Sequence, residues 1–138
     1  MSAEQIFSLL NAIALVAWLL IAIFPRRPLV VQTIAGTAIP AFFAAAYIAM
    51  IVSAWGGSEG SFSSLQGVAA LFENPWLLLA GWTHYLAFDL LVGVWEVRDA
   101  SGRGIPHVMV LPCLLLTFLF GPAGWLLYLV LRRVRSQS

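Results

Sequence analysis

Four long runs of apolar residues, parted by short clusters rich in proline, glycine, serine and arginine, make up nearly the whole chain. A helix crosses a bilayer with about 20 mostly apolar residues. The runs therefore predict helices over about 4–24, 29–55, 75–97 and 106–134. Pro25-Arg26-Arg27-Pro28 closes the first run, since the prolines cannot continue a helix and the arginines seek headgroups. Gly36 and Pro40 interrupt the second, which predicts a kink near Pro40, with Thr37 or a neighbouring helix meeting the freed carbonyl. Beyond it, Ala41, Ala45, Ala49 and Ser53 form a small-residue stripe suited to close helix packing. Asn74-Pro75 reads as an N-cap followed by the first residue of the third helix. Ser101-Gly102-Arg103-Gly104 reads as a tight turn, and Pro112 and Gly121-Pro122 predict bends in the last helix.

The connection from Gly56 to Asn74 has its own pattern. Phe62, Leu65, Val68, Ala69 and Phe72 fall at helical spacing on one side, with serines and Gln66 on the other. This predicts a short interfacial helix between helices 2 and 3, able to act as a lid, with Trp55 and Trp76 as flanking belt residues. The predicted fold is thus all-α, a polytopic membrane protein with one four-helix domain over residues 1–138.

Composition agrees. The chain has 138 residues, of which 62% are hydrophobic and 9% charged, whereas a soluble domain carries about 25% charge. Every basic residue is an arginine at a helix end, which excludes a nucleic-acid face. Cys113, the single cysteine, reads as a small buried hydrophobe. The N-terminal Met-Ser-Ala-Glu-Gln lacks the basic start of a signal peptide, so the first run is expected to stay as a span. Four spans put both termini on one side. Four arginines then follow helices 1 and 3, against three at the C-terminus, and the positive-inside rule prefers those two loops cytoplasmic by a narrow margin.

Candidate chemistry is concentrated between residues 82 and 107. His84, Asp89, Glu96, Asp99 and His107 comprise both histidines and three of the six acidic residues. An ionisable group inside a span costs about 2.5–3.5 kcal/mol on insertion scales, so it needs a compensating role. Helical geometry puts Trp82, Tyr85, Asp89 and Glu96 on one face and His84 about 140° away from Asp89. His84 and Asp89 cannot bond each other across the roughly 10 Å that this implies. Each pairs with another helix, or the two flank a bound molecule. With the third helix ending near Val97, Asp89 is expected level with Pro112–Leu114 and His84 with Leu119. Glu96, Asp99 and His107 are then expected at the water boundary.

Three readings stay open on the residues alone. The polar groups tie helices together, at about 0.6 kcal/mol per hydrogen bond. Or His84, Asp89, Asp99 and His107 hold a divalent metal. Or they do acid–base work on an apolar substrate, the apolar medium favouring a neutral carboxyl as donor and a neutral imidazole as base. Trp82, Tyr85, Trp95 and Glu96 are the candidate substrate-binding residues. No G-x-S-x-G and no glycine-rich phosphate loop is present.

The segments G-W-T-H-Y-L-A-F-D-L, D-A-S-G-R-G-I-P-H and P-C-L-L-L-T-F-L-F-G-P-A-G resemble the abscisic-acid-deficient-four-like family, strongly over about Trp76 to Arg132 and over helices 1 and 2 only through general pattern. Its plant members are four-helix plastid membrane proteins required for converting violaxanthin to neoxanthin. The resemblance carries over Trp82, His84, Asp89, Asp99, His107 and Pro122, and gives Glu96 less weight because plant members have an amide-type residue there. It implies a carotenoid or similar isoprenoid ligand and an acid–base isomerisation that needs no cofactor, with Asp89 as acid, His84 as base, and Asp99 and His107 as relay or gate. The first span begins at once, with no transit peptide, which points to a bacterial relative in an inner membrane. Alternatives are a carotenoid- or lipid-binding partner of another membrane enzyme, a ring-transforming isomerase with a homologous subunit, and an oligomeric ion conductor.

Overall fold

The computed structural model describes residues 1–136. Helix α1 spans Ala3–Ile23. Helix α2 begins π-helical over Leu29–Ala38, continues α-helical over Ile39–Ala54 and ends in a 3-10 turn, Trp55–Gly57. Helix α3 is the short Leu65–Leu71, α4 spans Pro75–Gly102 and α5 spans His107–Ser136. There is no strand among the described residues. Four segments, Ala3–Ile23, Leu29–Gly57, Pro75–Gly102 and His107–Ser136, are long and apolar enough to cross a membrane.

Local chemistry sets the helix starts. Ser2 and Gln5 form a reciprocal capping box on α1, Ser64 accepts from the Gly67 amide to start α3, and Asn74 accepts from the Trp76 amide ahead of α4. The proline interruption in α2 is absorbed by the π-helical register, in which the Thr37 hydroxyl donates five residues back to the Gln32 carbonyl at 2.8 Å. The stripe Ala41, Ala45, Ala49 and Ser53 is exposed, and its last two residues line a groove with Ile6 of α1 and Trp76 of α4. The predicted interfacial helix exists, though only as far as its serine cap allows.

α4 is the axis of the molecule. Half of its most apolar window is buried, against 22–28% for the other three long helices. One buried cluster joins it to α1 and α2 through Leu10, Ala14, Phe43 and Leu86. A second, with Trp18, Leu90, Val97, Val110 and Tyr128, joins it to α1 and α5.

Two expectations are corrected here. α4 does not stop near Val97 but runs on to Gly102. Charge alone does not end a helix; what ends this one is a glycine cap. Gly104 takes φ 70°, and the Ile105 amide reaches back to the Ala100 carbonyl at 2.9 Å, the pattern of a Schellman motif. Ile105 buries itself against the same turn, and Pro106 blocks any continuation.

The second correction is larger. α5 keeps helical dihedrals at Pro112 and breaks at Phe120 (φ −142°, ψ 59°). Past the break it turns back on itself. An added Cβ at Gly124 would overlap the backbone nitrogen and hydroxyl of Thr117. The Tyr128 hydroxyl donates to Asp99 at 2.7 Å and Arg132 Nε lies 3.3 Å from the same carboxylate, which Arg103 also holds. A straight helix would carry Arg132 about 18 Å beyond Phe120, away from Asp99. The halves His107–Leu119 and Gly121–Ser136 are instead the arms of a helical hairpin whose tip lies against the middle of α4. The C-terminal arginines are therefore not a free tail. Arg132 also covers the Trp95 ring, its guanidinium 5.6 Å from the centroid.

Candidate functional site

The continuation of α4 to Gly102 shifts the register between α4 and α5. Asp89 lies against Gly121, at the tip, rather than level with Pro112–Leu114: a Cβ on Gly121 would strike its carboxylate. The residues after the break, Gly121-Pro122, begin the second arm, with proline in a first-turn position that has no amide to lose. A half-helix start inside a membrane protein favours negative charge beside it. Tyr85, one turn before Asp89, donates from its hydroxyl to the Leu119 carbonyl at 3.2 Å, just ahead of the break, and lies beside the Asp89 carboxylate. Asp89 Oδ2 is buried and has no hydrogen-bond partner among the described residues. A carboxylate oxygen shut from water without a partner is costly, of the order of 1–3 kcal/mol, so this atom is an open valence in the design.

Beyond the tip, α5 no longer covers α4. Trp82 (39% exposed) and Phe88 (56%) lie open there, as does Phe120 (64%) at the tip itself. Trp82 stacks on Tyr85 at 5.2 Å and donates from Nε1 to Asn11 at 2.8 Å, which fixes both rings against α1. His84 stands on the other flank of this open face, against Tyr47 of α2 (5.7 Å) and Phe88 (4.8 Å). It lines a cavity of about 290 Å³ with Tyr47, Trp55, Phe62 and Phe72, part of which is roofed by α3. His84 and Asp89 thus diverge as expected and do not touch.

A second space lies between α1 and α5. Leu15, Trp18 and Leu19 of α1 face Leu111, Leu115 and Phe118 of α5 across an apolar groove of about 550 Å³. In its wall Trp18 meets Phe118 edge-on at 5.6 Å and lies on Gly93, where any Cβ would hit its ring. Gly93 is one helical turn from Asp89 on the same side of α4.

The remaining polar residues have structural partners. Glu96, expected at the water boundary, is fully buried, because α4 continues past it and the first arm of α5 covers it. Both of its oxygens lie within 2.9–3.0 Å of the Thr117 hydroxyl, which also donates to the Cys113 carbonyl at 2.8 Å. The one hydroxyl hydrogen has these three acceptors as alternatives. Thr117→Val should cost about 1–3 kcal/mol by stranding Glu96. Adding Glu96→Leu should restore most of that loss, because removing both partners leaves nothing unsatisfied. Unfolding of the variants in mixed micelles measures this.

Asp99 accepts from Tyr128 and Arg103 and forms an ion pair with Arg132, and Tyr128 is itself fully buried with Trp95 edge-on at 5.5 Å. Trp95, a substrate-binding candidate, thereby belongs to the clamp that holds the second arm. Asp99→Asn should lower unfolding free energy by about 1–3 kcal/mol, mainly through the charge-assisted Tyr128 bond, since exposed arginine pairs add little. His107 donates from Nε2 to the Ala22 carbonyl at 2.7 Å and so ties the start of α5 to the end of α1. Among the described residues no three His, Cys, Asp or Glu side chains converge to hold a metal ion, so His84, Asp89, Asp99 and His107 are not brought together as ligands.

A family model described as ABA4-like (ABA DEFICIENT 4-like) matches residues 5–128. The chain belongs to the ABA DEFICIENT 4-like family. No curated protein and no solved structure matches it. The ABA DEFICIENT 4-like match takes in α1 and α2, which the sequence motifs alone did not reach, and both walls of the apolar groove. Within this integral membrane protein the motif residues separate by role. Trp82, Tyr85 and Asp89 gather at the hairpin tip, with His84 across the open face, while Asp99 and His107 fasten the opposite end. Sequence reasoning missed Asn11, Thr117, Tyr128 and Gly124. Only the last carried a legible signal, as the end of a Gly-Pro-Ala-Gly run inside an apolar helix.

Proposed function

We propose that the protein isomerises a carotenoid-like isoprenoid by acid–base chemistry centred on Asp89. The supporting observation is the buried Asp89 oxygen without a partner, at the hairpin tip and one turn from Gly93, on which the groove-lining Trp18 packs. The groove suits a polyene chain, and the α4 face left open beyond the tip suits its end ring, between Asp89 on one flank and His84 on the other. For a ring epoxide, Asp89 delivers its proton to the epoxide oxygen as the ring carbon–oxygen bond breaks. His84 accepts the proton of the adjacent polyene carbon, whose bonding pair becomes the new double bond of an allene. The proton returns from imidazolium to carboxylate through water, so atoms balance and no oxidant is needed. Tyr85 orients the carboxyl.

The groove by itself equally suits a protein that only holds pigment for another enzyme; the one carboxylate oxygen without a partner is what favours chemistry. Expression in a host that makes epoxidised carotenoids tests the proposal. The expected product has unchanged mass and a shortened chromophore. Pigment that co-purifies with the protein and is never converted would select the holding role instead.

A further inference from the structure

With α5 folded back, the charges of the chain sort by end. Arg26 and Arg27 follow α1, whose last turn is bonded through Ala22 to His107 at the start of α5. Arg98 and Arg103 lie in the last turns and cap of α4. Arg132 reaches Asp99 from the returning arm, and Arg133 and Arg135 follow it in the final turn. All seven arginines therefore stand at one end of the bundle. Glu4, at the start of α1, and Glu59 and Glu73, in the connection around α3, stand at the other. A straight last helix would have divided the arginines four to three; the hairpin makes the division seven to none.

The arginine end also carries a recess of about 260 Å³, built from Arg26, Ser101, Gly104 and His107 together with the Pro25 and Pro106 corners. Most of its exposed lining is polar, unlike the groove between α1 and α5. It sits where a spanning protein meets headgroups. Basic residues near a membrane surface each gain about 1 kcal/mol from an anionic leaflet and are retained on the cytoplasmic side.

We infer that this arginine end is a docking face for anionic lipid headgroups on the cytoplasmic leaflet, and that the chain crosses the membrane three times, with its N-terminus outside and its C-terminus returned to the cytoplasm by the α5 hairpin. The partner is a phosphate-bearing headgroup with net negative charge, because seven arginines gather at that end and Arg26 lines the recess, while Asp99 engages Arg103 and Arg132. The inference does not depend on the isomerase reading.

Single cysteines test it in a Cys113→Ala background. Ser2→Cys and Ser136→Cys proteins are expressed in a bacterial host, and intact cells are treated with a membrane-impermeant maleimide. Ser2→Cys is expected to label in intact cells, and Ser136→Cys only after permeabilisation. Labelling of both or of neither in intact cells would place the termini on one side and overturn the hairpin topology. Labelling of Ser136→Cys alone would overturn the orientation. Native mass spectrometry from nanodiscs of mixed phosphatidylglycerol and phosphatidylcholine tests the lipid. Retained phosphatidylglycerol should exceed phosphatidylcholine several-fold, and the combined Arg26→Gln, Arg27→Gln, Arg133→Gln and Arg135→Gln variant, which leaves Arg103 and Arg132 on Asp99, should lose most of that preference. Equal retention of both lipids by the parent protein, or a preference unchanged in the variant, would refute the docking face. Inorganic phosphate added at millimolar concentration separates the sources. A lipid site is expected to keep its phosphatidylglycerol, and displacement would assign the recess to free phosphate.

Discussion

Asp89→Asn should leave the protein folded in the membrane and abolish the isomerised product. The substitution keeps the size and planarity of the side chain, so the contact with Gly121 at the hairpin tip survives. It removes the proton that the reaction moves. General acid–base groups contribute about 10²–10⁴-fold to rate, which in a pigment-conversion assay takes product below detection. Stability should shift the other way, or hardly at all, because an amide replaces a buried oxygen that has no partner. Asp89→Glu should also fail, for a different reason: the longer side chain meets the Gly121 backbone. Tyr85→Phe should retain part of the activity, since it removes only the hydroxyl that bonds Leu119 and sits beside the carboxylate. His84→Ala should depress conversion as well, without touching the hairpin, because its neighbours are Tyr47 and Phe88 on the far flank. Product formed at the parental rate by Asp89→Asn, at equal protein level, would end the assignment.

That prediction rests on geometry only partly legible in the amino-acid order. Apolar runs mark helices reliably because a bilayer tolerates little else, and Asn74-Pro75 announces its helix start through capping chemistry that is local. The divergence of His84 from Asp89 follows from helical pitch alone. Glu96 was misplaced for a reason of the same local kind. A cluster of charge after Val97 looks like a water boundary, yet the helix continues until Gly104 supplies a left-handed residue. Those extra residues move Glu96 inside. The reversal of α5 is different in nature. Gly121-Pro122 signals a bend, but its angle is set by contacts remote in sequence: Tyr128 and Arg132 on Asp99, and Leu131 in the cluster of Val97, Ala100 and Val110. Hydropathy cannot distinguish a helix that crosses from two short arms that enter and return.

The same reversal explains why one helix holds groups of such different character. Near the arginine end, α4 presents Asp99 to Tyr128 and two arginines and Glu96 to Thr117, and every such carboxylate has a partner. At the hairpin tip the covering helix runs out, and there Asp89 has none for Oδ2. The hairpin thus divides α4 into a fastened length and an open one. Irregular backbone at membrane depth is tolerated where protein or a polar cavity surrounds it, and Tyr85 meets that need by bonding the Leu119 carbonyl at the break.

Gly124→Leu should be the most destabilising single change in the chain. An added Cβ at this position overlaps the backbone nitrogen of Thr117 in the opposite arm, and backbone cannot swing aside as a side chain can. Overpacking typically costs about 1–3 kcal/mol where neighbours can adjust; here the arms must separate, which also strips Glu96 of Thr117 and loosens Tyr128 from Asp99. The loss should therefore exceed that range. Gly121→Ala offers the comparison that isolates the cause. Its Cβ strikes only the Asp89 carboxylate, so pairing it with Asp89→Ala should recover most of the lost stability. No single partner deletion should rescue Gly124→Leu, because the atom it meets is main chain. Unfolding in mixed micelles separates the two cases. A Gly124→Leu protein as stable as the parent would mean that the arms do not lie this close, and with them would go the shelter that sets Asp89 apart from Glu96 and Asp99.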